Sequence, residues 1–463
     1  MKKITVFNNL TKQKEILEPL DPATINIYTC GPTVYDDSHI GHARSALTWD
    51  VITRFLRYAG YKVNWARNIT DIDDKILKKS IELGINPSKV ARIYTYSFYE
   101  DMIRLGIDWP DYEPQATQYL PQMYSFIESL IKNKHAYTIN NDVYFSVSSF
   151  KEYGKLKGQN IQELEKGFGR IEPNEKKKNK LDFALWKGVK SNDEYGFDSP
   201  WGKGRPGWHL ECSTMNYSLF GPTLDIHGGG DDLIFPHHEN EIAQSESLTG
   251  KPFAKYWLHN GMILVNEEKM AKSLGNFITI KEALKNITPN ALRFFVLNTH
   301  YRMPLNYTSE ALVAAQNGIN RLQEALSDLS DNNLPESSTG NFEKEFTDAM
   351  CNDFNTPIAL SILFNITDKI NTEKNPKQKK AYQKELLNLS QTLGLNLINT
   401  QAEYATLKDK SFSSIIEMLI NWRIECKNNK DYKSADKIRD ILSKCNIEVK
   451  DLTDNKYKWQ FKA

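Results

Sequence analysis

The residues able to do chemistry in this chain fall into two groups. The first pairs His39-Ile40-Gly41-His42 with Lys269-Met270-Ala271-Lys272-Ser273. Two imidazoles around a glycine at a helix start can donate hydrogen bonds to phosphate oxygens, and Gly41 has no side chain to keep a nucleotide off the backbone. Lys269 and Lys272, three apart on a loop that ends at Gly275, can hold a polyphosphate while negative charge moves onto it. The second group is Cys30, Cys212, His237 and Glu241. His237 and Glu241 are four apart on a predicted helix and share one face, and a Cys, Cys, His, Glu set is acceptable to zinc. His209, three before Cys212, is a rival ligand. His238 has Ile242 at the offset of four and so lacks a second ligand.

Regular elements must bring these groups together. Ile25, Ile27 and Tyr28 form a β-branched and aromatic run that reads as a buried strand, broken at Cys30-Gly31-Pro32. The helix opening at His39 continues through Ala46, Trp49, Ile52 and Phe55, and Lys62–Asn68 reads as a second strand. Strand, glycine-containing loop and helix aim helix-start N–H groups at a phosphate. Ligands of open parallel sheets sit at the carboxyl ends of strands, where Cys30 and Thr70 fall. Thr223–His227 is a further strand, running into Gly228-Gly229-Gly230-Asp231-Asp232, and Pro236 stands at an expected first helical position. Residues 76–108 are predicted helical. Between 115 and 205 the texture changes, with a helix near 121–134, a strand over Val143–Val147 and a charged run over Glu172–Lys180. Ser199–Cys212 is dense in Gly, Pro and Trp and is expected to be a shaped loop. Amphipathic helices from 308 to about 400 predict a helix bundle, and Ala435–Lys444 is a charged helix near the end.

The bulk properties bound the reading. A chain of 463 residues should hold roughly two to four domains. Hydrophobic content of 40% and charged content of 25% are those of an ordinary globular protein, and a net charge of +1 means that any RNA site must come from local patches. No run approaches the eighteen or so apolar residues of a membrane span. MKKITVFNNL lacks the apolar core of a signal peptide, so a cytoplasmic protein is expected. Five cysteines at 30, 212, 351, 426 and 445 do not make a disulfide framework, and metal binding or burial is expected instead.

Together and in this order, the His39–His42 and Lys269–Ser273 strings resemble the HIGH and KMSKS signatures of class I aminoacyl-tRNA synthetases. Surrounding residues narrow the resemblance to cysteinyl-tRNA synthetases, over nearly the whole chain. One departure is Ala271, where the signature usually has serine. The resemblance implies an α/β fold: a Rossmann-like, doubly wound parallel-sheet catalytic domain split by a connective insertion, then an α-helical bundle and a small α+β anticodon-binding domain. The expected divisions are residues 1–115 and 206–285 for the two catalytic halves, 116–205 for the insertion, 286–407 for the bundle and 408–463 for the last domain. It also selects Cys30, Cys212, His237 and Glu241 as ligands of one zinc ion.

The implied activity is ATP-dependent activation of L-cysteine to cysteinyl-adenylate, with magnesium accompanying the ATP, then transfer to tRNA(Cys) by a monomeric enzyme. Shape discriminates cysteine from serine by only ~1–3 kcal/mol, whereas a thiolate is a far better zinc ligand than a hydroxyl. By resemblance His39, Gly41, His42, Lys269, Lys272, Gly229 and Asp232 contact ATP. Asp232 binds either the amino group or the ribose. Cys30, Gly31, Thr70, Trp208 and His237 line the amino-acid pocket. Arg423, Lys427, Arg439 and Trp459 in the tail offer positive charge and an aromatic face for unstacked bases. Two alternatives remain in view: a ligase joining cysteine to a small amine, and a non-catalytic RNA-binding relative. The tail from Ser411 to Ala463 disfavours the first and the intact site residues disfavour the second. No G-x-G-x-x-G follows the first strand, which disfavours a dehydrogenase.

Overall fold

The computed structural model describes all residues except 1, 161–162, 164–176, 192–193, 271–273, 328, 330–340, 399–415, 445–446, 452–456 and 462–463. Lys272, Ala271, Cys445 and most of the Glu172–Lys180 run therefore lie outside the described residues. The chain divides into two compact units, Met1–Leu397 and Ile398–Ala463.

The first unit opens with a hairpin, β1 (Thr5–Asn8) and β2 (Gln13–Ile16), followed by β3 (Thr24–Thr29), α1 (Ile40–Tyr58) and β4 (Lys62–Arg67). The expected strand, helix and strand are all present, and β3 and β4 are parallel. The helical stretch that follows is two helices, α2 (Asp74–Leu83) and α3 (Pro87–Arg104), separated at Gly84, which takes a left-handed φ of 63°. After α4 (Leu120–Lys132) come β5 (Ala136–Ile139), β6 (Asp142–Phe145), β7 (Phe183–Gly188) and β8 (Gly204–Pro206), an antiparallel sheet in that order. Then follow α5 (Trp208–Phe220), β9 (Leu224–Gly230), α6 (Glu239–Thr249) and β10 (Ala254–Asn260).

The central sheet is wholly parallel, in the order β10-β9-β3-β4. Each half of the sheet is wound outward from its own first strand, so the winding reverses between β3 and β9. Crevices form at such reversals, beyond the carboxyl ends of the strands. Cys30 follows β3 there, its N–H donating to the Gly228 carbonyl at 3.1 Å, and Gly230 ends β9 beside it. Gly228 is required for packing: a Cβ would stand 2.0 Å from the Trp49 ring on α1. The inserted sheet shares the core of the parallel one, since Phe126, Phe145 and Trp186 cluster with Tyr28, Cys212 and Trp257.

Beyond the parallel sheet lie β11 (Ile263–Val265) and β12 (Glu268–Lys269), a short helix α7 (Ile280–Ala283), α8 (Pro289–Leu297) and β13 (Leu305–Tyr307). The predicted bundle follows as α9 (Ser309–Glu324), α10 (Asn341–Cys351), α11 (Thr356–Thr372) and α12 (Pro376–Thr392). Before it, a buried ion pair joins Asp50 on α1 to Arg293 on α8. Arg293 also donates to the carbonyls of Leu105 and Gly106 after α3 and of Leu393 after α12, which joins the end of the bundle to the parallel-sheet part.

The second unit holds a helix over 416–428 (α13), α14 (Tyr432–Lys444) and an antiparallel hairpin, β14 (Ile447–Asp451) and β15 (Tyr457–Phe461). Its own small core includes Ile416, Ile420, Ile438, Leu442 and Ile447. Among the described residues no helix is long and apolar enough to cross a membrane.

Candidate active site and metal centre

A cleft of about 520 Å³ opens at the reversal between β3 and β9. Cys30, Gly31 and Trp208 line one part of it. His39, Gly41 and His42 line another, facing Lys269 and Met270. Gly230, Asp231 and Asp232 contribute from the end of β9. Two expectations shift here. Gly229 is buried, where a Cβ would meet Leu233 at 2.8 Å, and Gly230 is the glycine that faces the cleft. Successive residues of a strand point to opposite sides, so adjacent glycines do different work. Thr70 lies under the wall, 1% exposed, accepting from the Asn68 amide at 3.2 Å and bonding by its N–H to the Pro32 carbonyl.

The start of α1 sets the tautomers of both histidines. His39 Nδ1 accepts from the Gly41 N–H at 3.1 Å, and His42 Nδ1 accepts from the His39 N–H at 3.2 Å. The ring proton of each is therefore on Nε2. Burial, then the neighbouring His39 and Lys75, pushes the His42 pKa well below the usual imidazole range, so that ring is neutral near pH 7. Both rings offer an Nε2–H donor, and His42 does so without carrying charge. The Met270 side chain reaches this turn: its Cε is 3.7 Å from where a Cβ on Gly41 would lie.

Beneath the cleft, reached from it through Cys30, is a largely buried group of thiols, imidazoles and a carboxylate. Cys212 and Trp208 belong to the helix α5 rather than to a shaped loop, because the Gly/Pro-rich stretch ends at Gly207. His237 lies in a wide turn, Ile234–His238, just before α6, where Phe235 has extended backbone angles. The turn still delivers His237 Nε2 to within 3.0 Å of Glu241 Oε1. Cys30 Sγ is 3.7 Å from Cys212 Sγ and 3.5 Å from Glu241 Oε1. A tetrahedral zinc site has edges of roughly 3.8 Å between thiolates and roughly 3.3–3.5 Å where nitrogen or oxygen takes part, so this spacing fits zinc.

Two overlapping quartets meet that spacing: Cys30, Cys212, His237 and Glu241, and Cys30, His227, His238 and Glu241. Hydrogen-bond direction separates them. The Asn9 amide nitrogen lies 2.6 Å from His259 Nδ1, and an amide nitrogen only donates. His259 must then donate from Nε2 to His238 Nδ1 at 2.8 Å, which leaves the His238 proton on Nε2, facing Cys30 Sγ at 3.3 Å. His227 donates from Nδ1 to the Tyr28 carbonyl, and its Nε2 lies 2.8 Å from Glu241 Oε2. In this arrangement His238 has no lone pair to offer the second quartet. The first quartet gathers the two thiols and the Glu241 carboxylate around His237, whose Nε2 would give up its proton on binding a metal.

Burial disfavours an ionised Glu241, but His227 and His237 outweigh it and hold the carboxyl well below its usual range. Burial also disfavours charge on His237, yet the Glu241 carboxylate raises it to about 10. The Cys212 thiol is pulled down, chiefly by the Cys30 thiol donating to it. His209, the rival ligand, sits behind His237 with the two Nδ1 atoms 2.9 Å apart. Trp208 stacks on the His237 ring at 4.2 Å, and so joins the cleft to the buried group. His227, His238, His259 and Asn9 were not readable as a group from sequence, since no spacing rule joins residues so far apart.

In the second unit, Arg423 is 5% exposed, which corrects its expected place on an RNA-facing surface. Its helix packs that position inward. Arg439 is exposed and pairs with Asp436 at 3.2 Å, while Lys427 and Trp459 are half-buried.

Comparison with known proteins agrees with this geometry. Residues 16–317 match the family described as tRNA synthetases class I (C) catalytic domain, and residues 345–398 match the DALR domain. A cysteine–tRNA ligase of Anoxybacillus flavithermus is 44% identical over 97% of each chain. That of Coxiella burnetii is 45% identical over 97% of this chain and 98% of its own. The chain belongs to the cysteine–tRNA ligase family. Among solved structures, a Mycobacterium tuberculosis methionyl-tRNA synthetase in complex with methionyl-adenylate shares the fold at 14% identity, with a TM-score of 0.58 over 80% of this chain and 90% of that one. As a cysteine–tRNA ligase the protein is an enzyme that uses an amino acid, ATP and tRNA.

Proposed function

We propose that in this cysteine–tRNA ligase Cys30, Cys212, His237 and Glu241 hold one Zn²⁺, and that the cleft above them activates L-cysteine for transfer to tRNA(Cys). What carries this reading is the meeting of two thiols, an imidazole and a carboxylate at zinc spacing beneath the same cleft that His39, His42 and Lys269 border. Zinc in that setting supplies a soft acid that takes a thiolate and discriminates against a hydroxyl.

The cysteine carboxylate, already ionised at neutral pH, attacks the α-phosphorus of Mg²⁺-bound ATP. A P–O bond forms to the carboxylate as the bond to the pyrophosphate oxygen breaks. The Nε2–H groups of His39 and His42 bind the phosphate oxygens, and Lys269 and Lys272 take up the charge gathering on the pyrophosphate. Gly31 and Trp208 border the amino acid, with Thr70 supporting from beneath. Asp232, exposed at the rim, binds the ribose or the amino group. A hydroxyl of the tRNA's terminal adenosine then attacks the activated carbonyl, and AMP leaves. Lys427, Arg439 and Trp459 in the second unit contact the RNA.

The five-segment division, with boundaries after 115, 205, 285 and 407, stands as part of this proposal, as do a monomeric state and a cytoplasmic location. The test is transfer of labelled cysteine to deacylated total tRNA with ATP and magnesium. Charging confined to cysteine-accepting tRNA, with serine at least a thousandfold poorer by about 4 kcal/mol of discrimination, is the expected result. Equal use of serine would overturn the zinc assignment.

A further inference from the structure

The lysine loop is fastened at its far end to the residues that introduce the phosphate-binding histidines. Thr279 pairs with His39 in an antiparallel bridge: the Ile40 N–H donates to the Ile278 carbonyl at 3.1 Å and the Ile280 N–H to the Ser38 carbonyl at 2.9 Å. The Phe277 ring meets the His39 ring edge-on, 5.1 Å between centroids. Beyond the bridge, Lys281 Nζ lies 2.9 Å from Asp37 Oδ1 and 2.8 Å from Ser97 Oγ, and the Ser97 hydroxyl donates to the same Asp37 oxygen. Three segments distant in sequence therefore close on one ammonium group: the loop before α1, the middle of α3 and the start of α7. At α7, Thr279 and Glu282 cap each other's backbone, which fixes the direction in which Lys281 leaves the chain.

Asp37 and Lys281 are both about one-third exposed, so their attraction contributes only modestly to global stability. Its value is geometric. Lys281 stands nine positions after Lys272 and two after the bridge to His39. The backbone ladder alone is two hydrogen bonds long and could shear. The side-chain triad braces it against α3, a helix anchored by Val90, Phe98 and Met102 in the core.

We propose that Lys281, through Asp37 and Ser97, is a positioning residue for amino-acid activation. It holds the root of the Lys269–Lys272 loop in register with His39 and His42, so that both ends of the triphosphate are gripped at one spacing. This rests on the activity proposed above. A displacement of about 1 Å of groups that act together on a transition state lowers rate far more than it weakens binding of the ground state.

The test combines cysteine-dependent ATP–pyrophosphate exchange with hydrogen exchange of the unliganded protein. Lys281→Met should lower kcat about tenfold with the KM for cysteine unchanged. Lys281→Arg should restore most of the rate, and Asp37→Asn combined with Lys281→Met should be no slower than Lys281→Met alone. Amides of Ile40 and Ile280 should exchange faster in Lys281→Met. A kcat within twofold of wild type, additive losses in the double variant, or unchanged amide exchange would each overturn the proposal. If the wild type itself shows no cysteine-dependent exchange, the activity reading fails separately, and the amide exchange still decides whether Lys281 braces the ladder.

Discussion

His227 Nε2 lies 2.8 Å from Glu241 Oε2 while its Nδ1 donates to the Tyr28 carbonyl at 2.9 Å. One buried imidazole thus ties the β3–β9 pair to the carboxylate on α6. Replacing His227 by Gln removes the close imidazole contact that orients the Glu241 carboxylate. Zinc affinity should fall 10–100-fold, as is usual when an outer partner of a ligand is lost. Chelator competition on the purified protein measures this, and an unchanged affinity would show that Glu241 needs no such partner.

Lys269→Ala should cut kcat for pyrophosphate exchange by roughly 10²–10³, the usual loss for a group that stabilises transition-state charge. Cysteine binding, followed by a thermal shift with cysteine alone, should be unaffected. A rise in KM for cysteine in place of a fall in kcat would remove Lys269 from the phosphate-handling role.

Gly31 has no room for a side chain. A Cβ would stand 1.6 Å from the Asn68 carbonyl oxygen, a backbone atom that cannot swing away. Gly31→Ala should therefore push the end of β3 from β4 and destabilise the protein by roughly 1–3 kcal/mol or more. Denaturant unfolding reads the loss, and retained zinc is expected to fall with it because Cys30 is the preceding residue.

Asp101 on α3 is fully buried, with no hydrogen-bond partner on either carboxylate oxygen. Burial pushes its pKa from the ordinary 3.8 up to about 7. The folded state thus holds a proton that the unfolded state releases near pH 4, and stability falls as pH rises from there to about 7. Asp101→Asn should raise stability at pH 8 by on the order of 2–4 kcal/mol and leave it nearly unchanged at pH 4. Melting curves at the two pH values give the comparison. An equal gain at both would mean that the amide's packing matters and the charge does not.

Local signals carried much of this structure. The run through Ile25 and Tyr28, broken by Gly31-Pro32, has the composition of a buried strand and a hard stop, and β3 ends where those residues require. His39 and the apolar spacing to Phe55 likewise mark α1. The start of α5 was hidden because Gly207 caps it without a side-chain hydrogen bond, so no Ser, Thr, Asp or Asn announces the helix. Arg423 was misjudged because a charged residue on an amphipathic helix ordinarily faces water, and only its packed neighbours reveal otherwise. Asn9 and His259 were invisible for a different reason. Their 2.6 Å contact joins residues 250 apart and follows from the β1–β10 packing, which no short window of sequence encodes.

The sheet order has a consequence for how the chain comes off the ribosome. β3 is an interior strand, yet its β9 neighbour lies about two hundred residues downstream, as the 199-residue separation of Tyr28 and His227 records. At roughly 5–20 residues per second, β3 waits on the order of 10–40 s with one edge unpaired and the Cys30 thiol uncovered. Until β9 emerges, the chain lacks both the strand that completes β3 and the His237 and Glu241 side chains that, with Cys212, gather around the Cys30 sulfur. The four side chains of the candidate metal centre, Cys30 through Glu241, can meet only after more than two hundred residues of synthesis.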